Sequence, residues 1–153
     1  EHSLALTADG SVWSWGMGGF GQLGHGDEQN QLLPKKVEAF AGQRVVAVSA
    51  GGDHSLALTA DGAVWSWGWG AGGQLGLGDR QTQWQPTKLE ALADQRVLVV
   101  SAGREHSLAL TADGSVWSWG MGDQLLPKKV EAFAGQRVVA VSAGGDHSLA
   151  LTA

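Results

Sequence analysis

His54-Ser55-Leu56-Ala57-Leu58-Thr59-Ala60-Asp61-Gly62-Ala63-Val64-Trp65-Ser66-Trp67-Gly68 decides the fold. Leu56 and Leu58 alternate with Ser, Ala and Thr, and Val64 to Trp67 alternates in the same way. That period of two marks half-buried strands. Asp61-Gly62 between them supplies the positive-φ residue of a tight hairpin turn. Nearly the same words stand at His2 to Gly16 and His106 to Gly120, and their first half returns at His147 to Ala153. The stretch is one copy of a repeat.

Working outward, the histidines at 2, 54 and 106 fall at a constant spacing, whereas His147 follows sooner. The shortfall lies after Gly120-Met121-Gly122-Asp123. The first copy reads Gly16-Met17-Gly18-Gly19-Phe20-Gly21-Gln22-Leu23-Gly24-His25-Gly26-Asp27 before Gln31-Leu32-Leu33-Pro34; the third passes almost directly to Gln124-Leu125-Leu126-Pro127. Either the loop is deleted or the numbering closes over absent residues. The second reading is favoured, because the rest of the repeat keeps every feature that depends on the loop. The repeats run approximately over 1–52, 53–104 and 105–145, with a further unit starting at 146–153. Glu1 stands just ahead of a strand, so the chain reads as a piece of something longer.

Between hairpins, Val45 to Ala50 is a β-branched apolar run ending at Gly51-Gly52. A fourth, weaker strand is expected over Lys35 to Phe40, or Lys88 to Leu92; a short helical turn at Glu38-Ala39-Phe40-Ala41 is the rival. Four short strands per unit, apolar on both faces, fit an all-β propeller blade rather than a helical solenoid.

Composition narrows the function. The 24 glycines and 3 prolines in 153 residues fit tight turns. A net charge of -5 argues against a general nucleic-acid or anionic-membrane surface. No cysteine means no disulfide framework and no thiolate chemistry. No apolar run is long enough for a helical span and no signal pattern opens the chain, so membrane insertion is not expected and an intracellular setting is favoured.

At Gly-x-x-His-Ser, then Asp-Gly-x-Val-Trp-x-Trp-Gly, then Gly-Gln-Leu-Gly-x-Gly-Asp, the chain resembles the RCC1 (regulator of chromosome condensation) repeat family. The resemblance covers all the repeats; the third lacks the last motif. It implies about three four-stranded blades, part of a larger or multi-chain ring, since family propellers close with about seven. It also implies two kinds of activity: scaffolding of protein partners, or guanine-nucleotide exchange on a small GTPase with chromatin binding. The acidic balance weakens the chromatin half. In the plant ultraviolet-B photoreceptor branch, tryptophans act in Gly-Trp-Arg-His-Thr; here the matching places read Gly52-Asp53-His54-Ser55 and Arg104-Glu105-His106-Ser107, without Trp.

Apparent chemical sites dissolve on comparison between copies. Gly16 to Gly21 and Gly68 to Gly73 fit a dinucleotide-loop pattern, but Gln22-Leu23-Gly24 cannot open the helix that phosphate binding requires. Equivalent histidines in neighbouring blades stand about 10 Å apart, too far to share one metal. Asp53-His54-Ser55 has triad letters on residues that point to opposite sheet faces. No catalytic, cofactor or metal site is expected. His2, His54, His106 and His147 are read as structural, their nitrogens satisfying backbone groups between blades. Trp15, Trp67 and Trp119 are read as inter-blade packing, with Trp13, Trp65 and Trp117 beside them. Binding is expected where the copies disagree: Phe20, His25, Trp69, Arg80, Gln81 and Trp84. The function read from this is a non-catalytic protein-interaction scaffold contacting its partner through inter-strand loops. Exchange on a GTPase and a structural role are the alternatives. In the structural role, open edges at Val45 to Ala50 or His147 to Thr152 pair with another chain, and the isolated piece is not a stable monomer.

Overall fold

Thirteen strands make up four antiparallel sheets in the computed structural model, which describes residues 1–153. The first sheet holds β1 (His2–Leu6), β2 (Val12–Gly16) and β3 (Gln31–Lys36). The second holds β4 (Val45–Ala50), β5 (His54–Thr59), β6 (Val64–Gly68) and β7 (Gln83–Lys88). The third repeats it with β8 (Val97–Ala102), β9 (His106–Thr111), β10 (Val116–Gly120) and β11 (Gln124–Lys129). The fourth has β12 (Val138–Ala143) and β13 (Ser148–Thr152). The chain therefore contains two complete four-stranded blades flanked by a three-stranded and a two-stranded one. Sheet boundaries fall ahead of the repeated histidines, because each inner strand (β4, β8, β12) belongs with the hairpin that follows it.

The hairpins form as their alternation dictates. Leu56 pairs with Ser66 and Leu58 with Val64 across β5 and β6. Thr59 and Asp61 close the turn, the Thr59 hydroxyl donating to Asp61 Oδ1 at 2.6 Å and the Ala63 amide donating to the same oxygen at 3.2 Å. Gly62 takes φ +85°, and a Cβ there would meet nothing closer than 3.4 Å. Gly62→Ala therefore costs only the left-handed conformation, about 1–2 kcal/mol in urea unfolding. Gly10→Ala is expected to cost more, since its Cβ would also stand 2.9 Å from Arg44 Cγ.

The outer strand lies earlier than expected. It covers Gln31–Lys36 and Gln83–Lys88, and the segment read as its second half is a 3-10 turn at Glu38–Phe40, Glu90–Leu92 and Glu131–Phe133. The physical reason is burial. Val37 and Phe40 are both buried, and turning the chain at Glu38 puts them into one cluster. An extended strand would alternate them to opposite faces. Pro34, Pro86 and Pro127 sit on these outermost strands, where a missing N–H breaks no inner ladder.

The core lies between blades. One cluster joins Val12, Val37 and Phe40 of the first blade to Val45, Ala57 and Trp67 of the second. Another joins Leu56, Leu58 and Leu92 to Val97, Ala109 and Trp119. A third joins Leu110 and Val116 to Val138. Each sheet is thus covered on both faces only where it has neighbours, and stability accumulates interface by interface. Leu32, Leu149 and Leu151, on the flanking blades, are exposed. At the shortened loop the chain turns from β10 to β11 through Met121-Gly122-Asp123, with Met121 itself at φ +59°.

Candidate protein-binding rim

Every blade presents two ends. One carries the Asp-Gly hairpin turns and the 3-10 segments. The other carries the glycine-rich loops between the third and fourth strands and the residues just ahead of each repeated histidine. The candidate contact residues all belong to this second, loop rim.

Phe20 and Trp69 come from different blades and stack in a tilted pair, ring centroids 6.1 Å apart at 48°. The loop of the first blade also crosses Trp84. The Gly26 amide donates to the Trp84 carbonyl at 2.9 Å, and a Cβ on Gly21 would stand 2.3 Å from Trp84 Cδ1. Only glycine, here at φ +76°, lets the loop lie this close. Phe20 and Trp84 remain 43% and 48% exposed, so the Phe20–Trp69 pair and Trp84, against Gly21 next to Phe20, lie on one exposed stretch of the rim.

Of the other three candidates, Arg80 and His25 use their side chains within the fold, and Gln81 only its backbone. Arg80 Nη1 donates to the Ala71 carbonyl at 2.9 Å, and Nη2 stands 4.0 Å from Asp123 Oδ1. The Gln81 amide donates to Asp79 Oδ1 at 3.0 Å, and its carbonyl lies where a Cβ on Gly70 would fall. His25 Nε2 lies 2.9 Å from the Ser14 hydroxyl, which donates to the Leu23 carbonyl at 2.7 Å. Because that hydroxyl proton is already committed, His25 Nε2 carries the proton of the second bond. Burial, then Lys35, lowers the His25 pKa, opposed by Asp27. The Arg80 and His25 side chains brace the loops, whereas Gln81 is held through its backbone and its residue is exposed.

The repeated histidines form a ladder from blade to blade that the sequence reading missed. His2 Nε2 lies 2.7 Å from Ser55 Oγ, His54 Nε2 2.9 Å from Ser107 Oγ, and His106 Nε2 3.1 Å from Ser148 Oγ. The expected backbone partners are thus replaced by the serine of the next blade. Ser55 donates to the Gln22 carbonyl at 2.8 Å and Ser107 to that of Gln74 at 2.9 Å. His2 and His54 must therefore donate through Nε2, leaving Nδ1 bare; Nδ1 of His2, His54 and His106 is buried without a partner. Burial holds His54 down to about 3 from 6.5, with His2 and His106 adding to the effect. His2 is lowered to about 4 by burial and by the ammonium of Glu1. His147, in the two-stranded blade, is exposed, its ring against Gly144. The His-Ser adjacency in sequence was the available signal, but its pairing joins residues more than forty positions apart.

Trp67 and Trp119 are fully buried, and Trp15 is half-buried. Phe40 stands edge-on to Trp65 at 5.7 Å and to Trp67 at 5.6 Å, so one aromatic of the first blade clamps both tryptophans of the second. Trp119 Nε1 donates to the Gln74 carbonyl at 2.9 Å, whereas Trp67 Nε1 has no partner.

Four-stranded sheets, inter-blade tryptophans and a glycine loop in each of the first two blades agree with the comparison of sequences. Models of the regulator of chromosome condensation (RCC1) repeat match residues 9–58, 61–110 and 123–151. The chain belongs to the RCC1 repeat family. It is 46% identical over 125 residues to the human E3 ubiquitin-protein ligase HERC2, a match spanning 80% of this chain and 3% of that protein. It is 39% identical over 120 residues to the Ultraviolet-B receptor UVR8 of Arabidopsis thaliana, spanning 78% of this chain and 27% of the receptor. Among solved structures, human WBSCR16 superposes with TM-score 0.87 at 33% identity, covering 99% of this chain and 42% of that one. Prp20p of Saccharomyces cerevisiae gives 0.88 at 26%, covering 99% and 41%. The fold is that of a partial RCC1 propeller, and the chain spans less than half of each of these relatives. What it shares with HERC2 is the repeat region.

Two cavities on the hairpin rim occupy equivalent places in this RCC1 frame. One of about 410 Å³ is lined by Asp113, Ser115, Lys129 and Arg137, among others, and one of about 300 Å³ by Asp9, Ser11, Lys36 and Arg44. Both recur as features of the repeat, and neither contains a candidate contact residue.

Proposed function

We propose that this chain is a non-catalytic protein-interaction scaffold that meets its partner through the loop rim. The observation carrying the reading is the Phe20–Trp69–Trp84 patch. It sits on rigid blades, crosses a blade junction, and is built from residues whose counterparts in the sister repeats differ. Gly72 stands for Phe20, Met17 for Trp69, and Leu32 for Trp84. Aromatic side chains held by a rigid scaffold are the usual anchors of protein interfaces. The buried histidines and serines are consumed by the ladder between blades.

A photo-crosslinking amino acid at Phe20, compared with one at Glu38 on the opposite rim, tests this. Partner capture from position 20 and not from 38 is expected. Capture from 38 alone would place the contact on the hairpin rim and remove the reading.

Guanine-nucleotide exchange is the second reading, favoured by the superposition on Prp20p, a protein with binding properties towards Gsp1p and histones. Accelerated nucleotide release across a panel of small GTPases would support it; release rates unchanged throughout the panel would eliminate it.

A further inference from the structure

The topology sorts charge by rim. Strand direction puts Asp27, Glu28 and Asp79 in the loops of the loop rim, and Glu1, Asp53, Glu105, Asp123 and Asp146 at the strand ends beside them. These are eight of the chain's 15 carboxylates. The same rim holds two of its 10 Lys and Arg residues, Arg80 and Arg104. The remaining eight cations and seven carboxylates lie at the hairpin rim or, like Lys35 and Lys128, midway along the outer strand, in near balance. The chain's net charge of -5 is therefore concentrated on one face, the face that carries the aromatic patch.

The acids stand next to the aromatics. The Trp69 amide donates to the Asp53 carbonyl at 2.9 Å, which fixes Asp53 beside the Phe20–Trp69 pair. The Gly26 amide bonds the Trp84 carbonyl, so Asp27 follows directly on the contact with Trp84. Glu28 is exposed and Asp53 half-buried, and neither has an ion-pair partner within 4.0 Å. Of the two cations, Arg80 is engaged by the Ala71 carbonyl and Asp123, and Arg104 is exposed. An apolar patch ringed by unpaired carboxylates repels acidic partners and draws cationic ones.

We infer that the loop rim docks a basic segment of a partner protein, its apolar side chains on Phe20, Trp69 and Trp84 and its Lys or Arg residues against Glu28, Asp27 and Asp53. This rests on the scaffold reading and adds the chemistry of the partner. Arginine over the exposed Trp84 face would gain a cation–π contact that an acidic segment cannot make.

The test is fluorescence anisotropy of the full chain with a labelled peptide of Lys-Trp-Lys-Leu repeats and with its counterpart carrying Glu for Lys. The Lys peptide should bind at least about tenfold tighter, and the difference should shrink with added salt. Phe20→Ala and Trp69→Ala should each weaken it about tenfold. Glu28→Lys and Asp53→Lys should weaken it several-fold, mainly at low salt. Glu38→Lys, on the opposite rim, should leave it unchanged. Equal or tighter binding of the Glu peptide, no binding of either, or loss only in Glu38→Lys would overturn the inference. A partner crosslinked at position 20 through an acidic segment would also overturn it while leaving the scaffold reading intact.

Discussion

Trp67→Ala is expected to remove about 3–5 kcal/mol of stability, a large share of what a domain of this size commonly has. The ring is fully buried, lies edge-on to Phe40, and shares a cluster with Val12, Val37, Val45 and Ala57. These residues come from two blades, so truncation opens a cavity at their junction rather than within one sheet. Gly24 cannot fill it, because its backbone already stands against the indole: a Cβ there would be 2.9 Å from Trp67 Nε1. Urea unfolding should show a lower midpoint or a separate early transition from uncoupling of the first blade. Trp84→Ala is the contrast, with a loss of about 1 kcal/mol or less from a ring that is 48% exposed. Equal losses at the two positions would show that the blade junctions do not carry the stability.

Acid should unfold the chain through the histidine ladder. His54 is buried, donates through Nε2 to Ser107, and is lowered to about 3 from 6.5. Its folded value lies below its unfolded one, so between these limits the unfolded chain binds the extra proton. The stabilisation is complete above pH 6.5 and is lost as pH falls from there towards 3. Each such histidine gives a slope of about 1.4 kcal/mol per pH unit inside that window. His2, lowered to about 4, acts in the same direction over a narrower range. The turn carboxylates Asp9, Asp61 and Asp113 are also held below their ordinary value, first by the Thr hydroxyl two residues earlier. Their contribution is present above about pH 3.8 and disappears below it. His54→Leu should flatten the upper part of the profile by about one proton. An unchanged slope between pH 6 and 4 in that variant would mean that His54 is not the group being titrated.

Much of the scaffold was legible in the letters. The hairpin, its Asp-Gly turn and its recurrence follow from period-two alternation, and four strands per unit lead to blades. The outer strand was misplaced because Lys35-Lys36-Val37 carries no alternation of its own. Where it stops is decided by Val37 and Phe40 reaching the next blade. The ladder was half legible: the histidines recur visibly, but each partner is a serine in the following blade, and only the stacking of sheets makes that pairing. The candidate contact residues were found as deviations between copies, a criterion that cannot distinguish a surface residue from a brace. Phe20 and Trp69 stack across a junction and Trp84 lies against Gly21; Arg80 and His25 are held by a loop carbonyl, a carboxylate and a serine within reach, and Gln81 is exposed.

The hairpin's His, Ser, Asp and Trp hold the propeller together, and the proposed recognition surface is the loop rim. The most direct measurement exchanges the patch for its counterparts in the sister repeats, Phe20→Gly, Trp69→Met and Trp84→Leu together. Thermal midpoint and binding of the Lys-Trp-Lys-Leu peptide are then followed in the same preparation. The account predicts a midpoint within a few degrees of the parent and binding reduced by about a hundredfold. Binding retained at parental strength in the folded variant would contradict it.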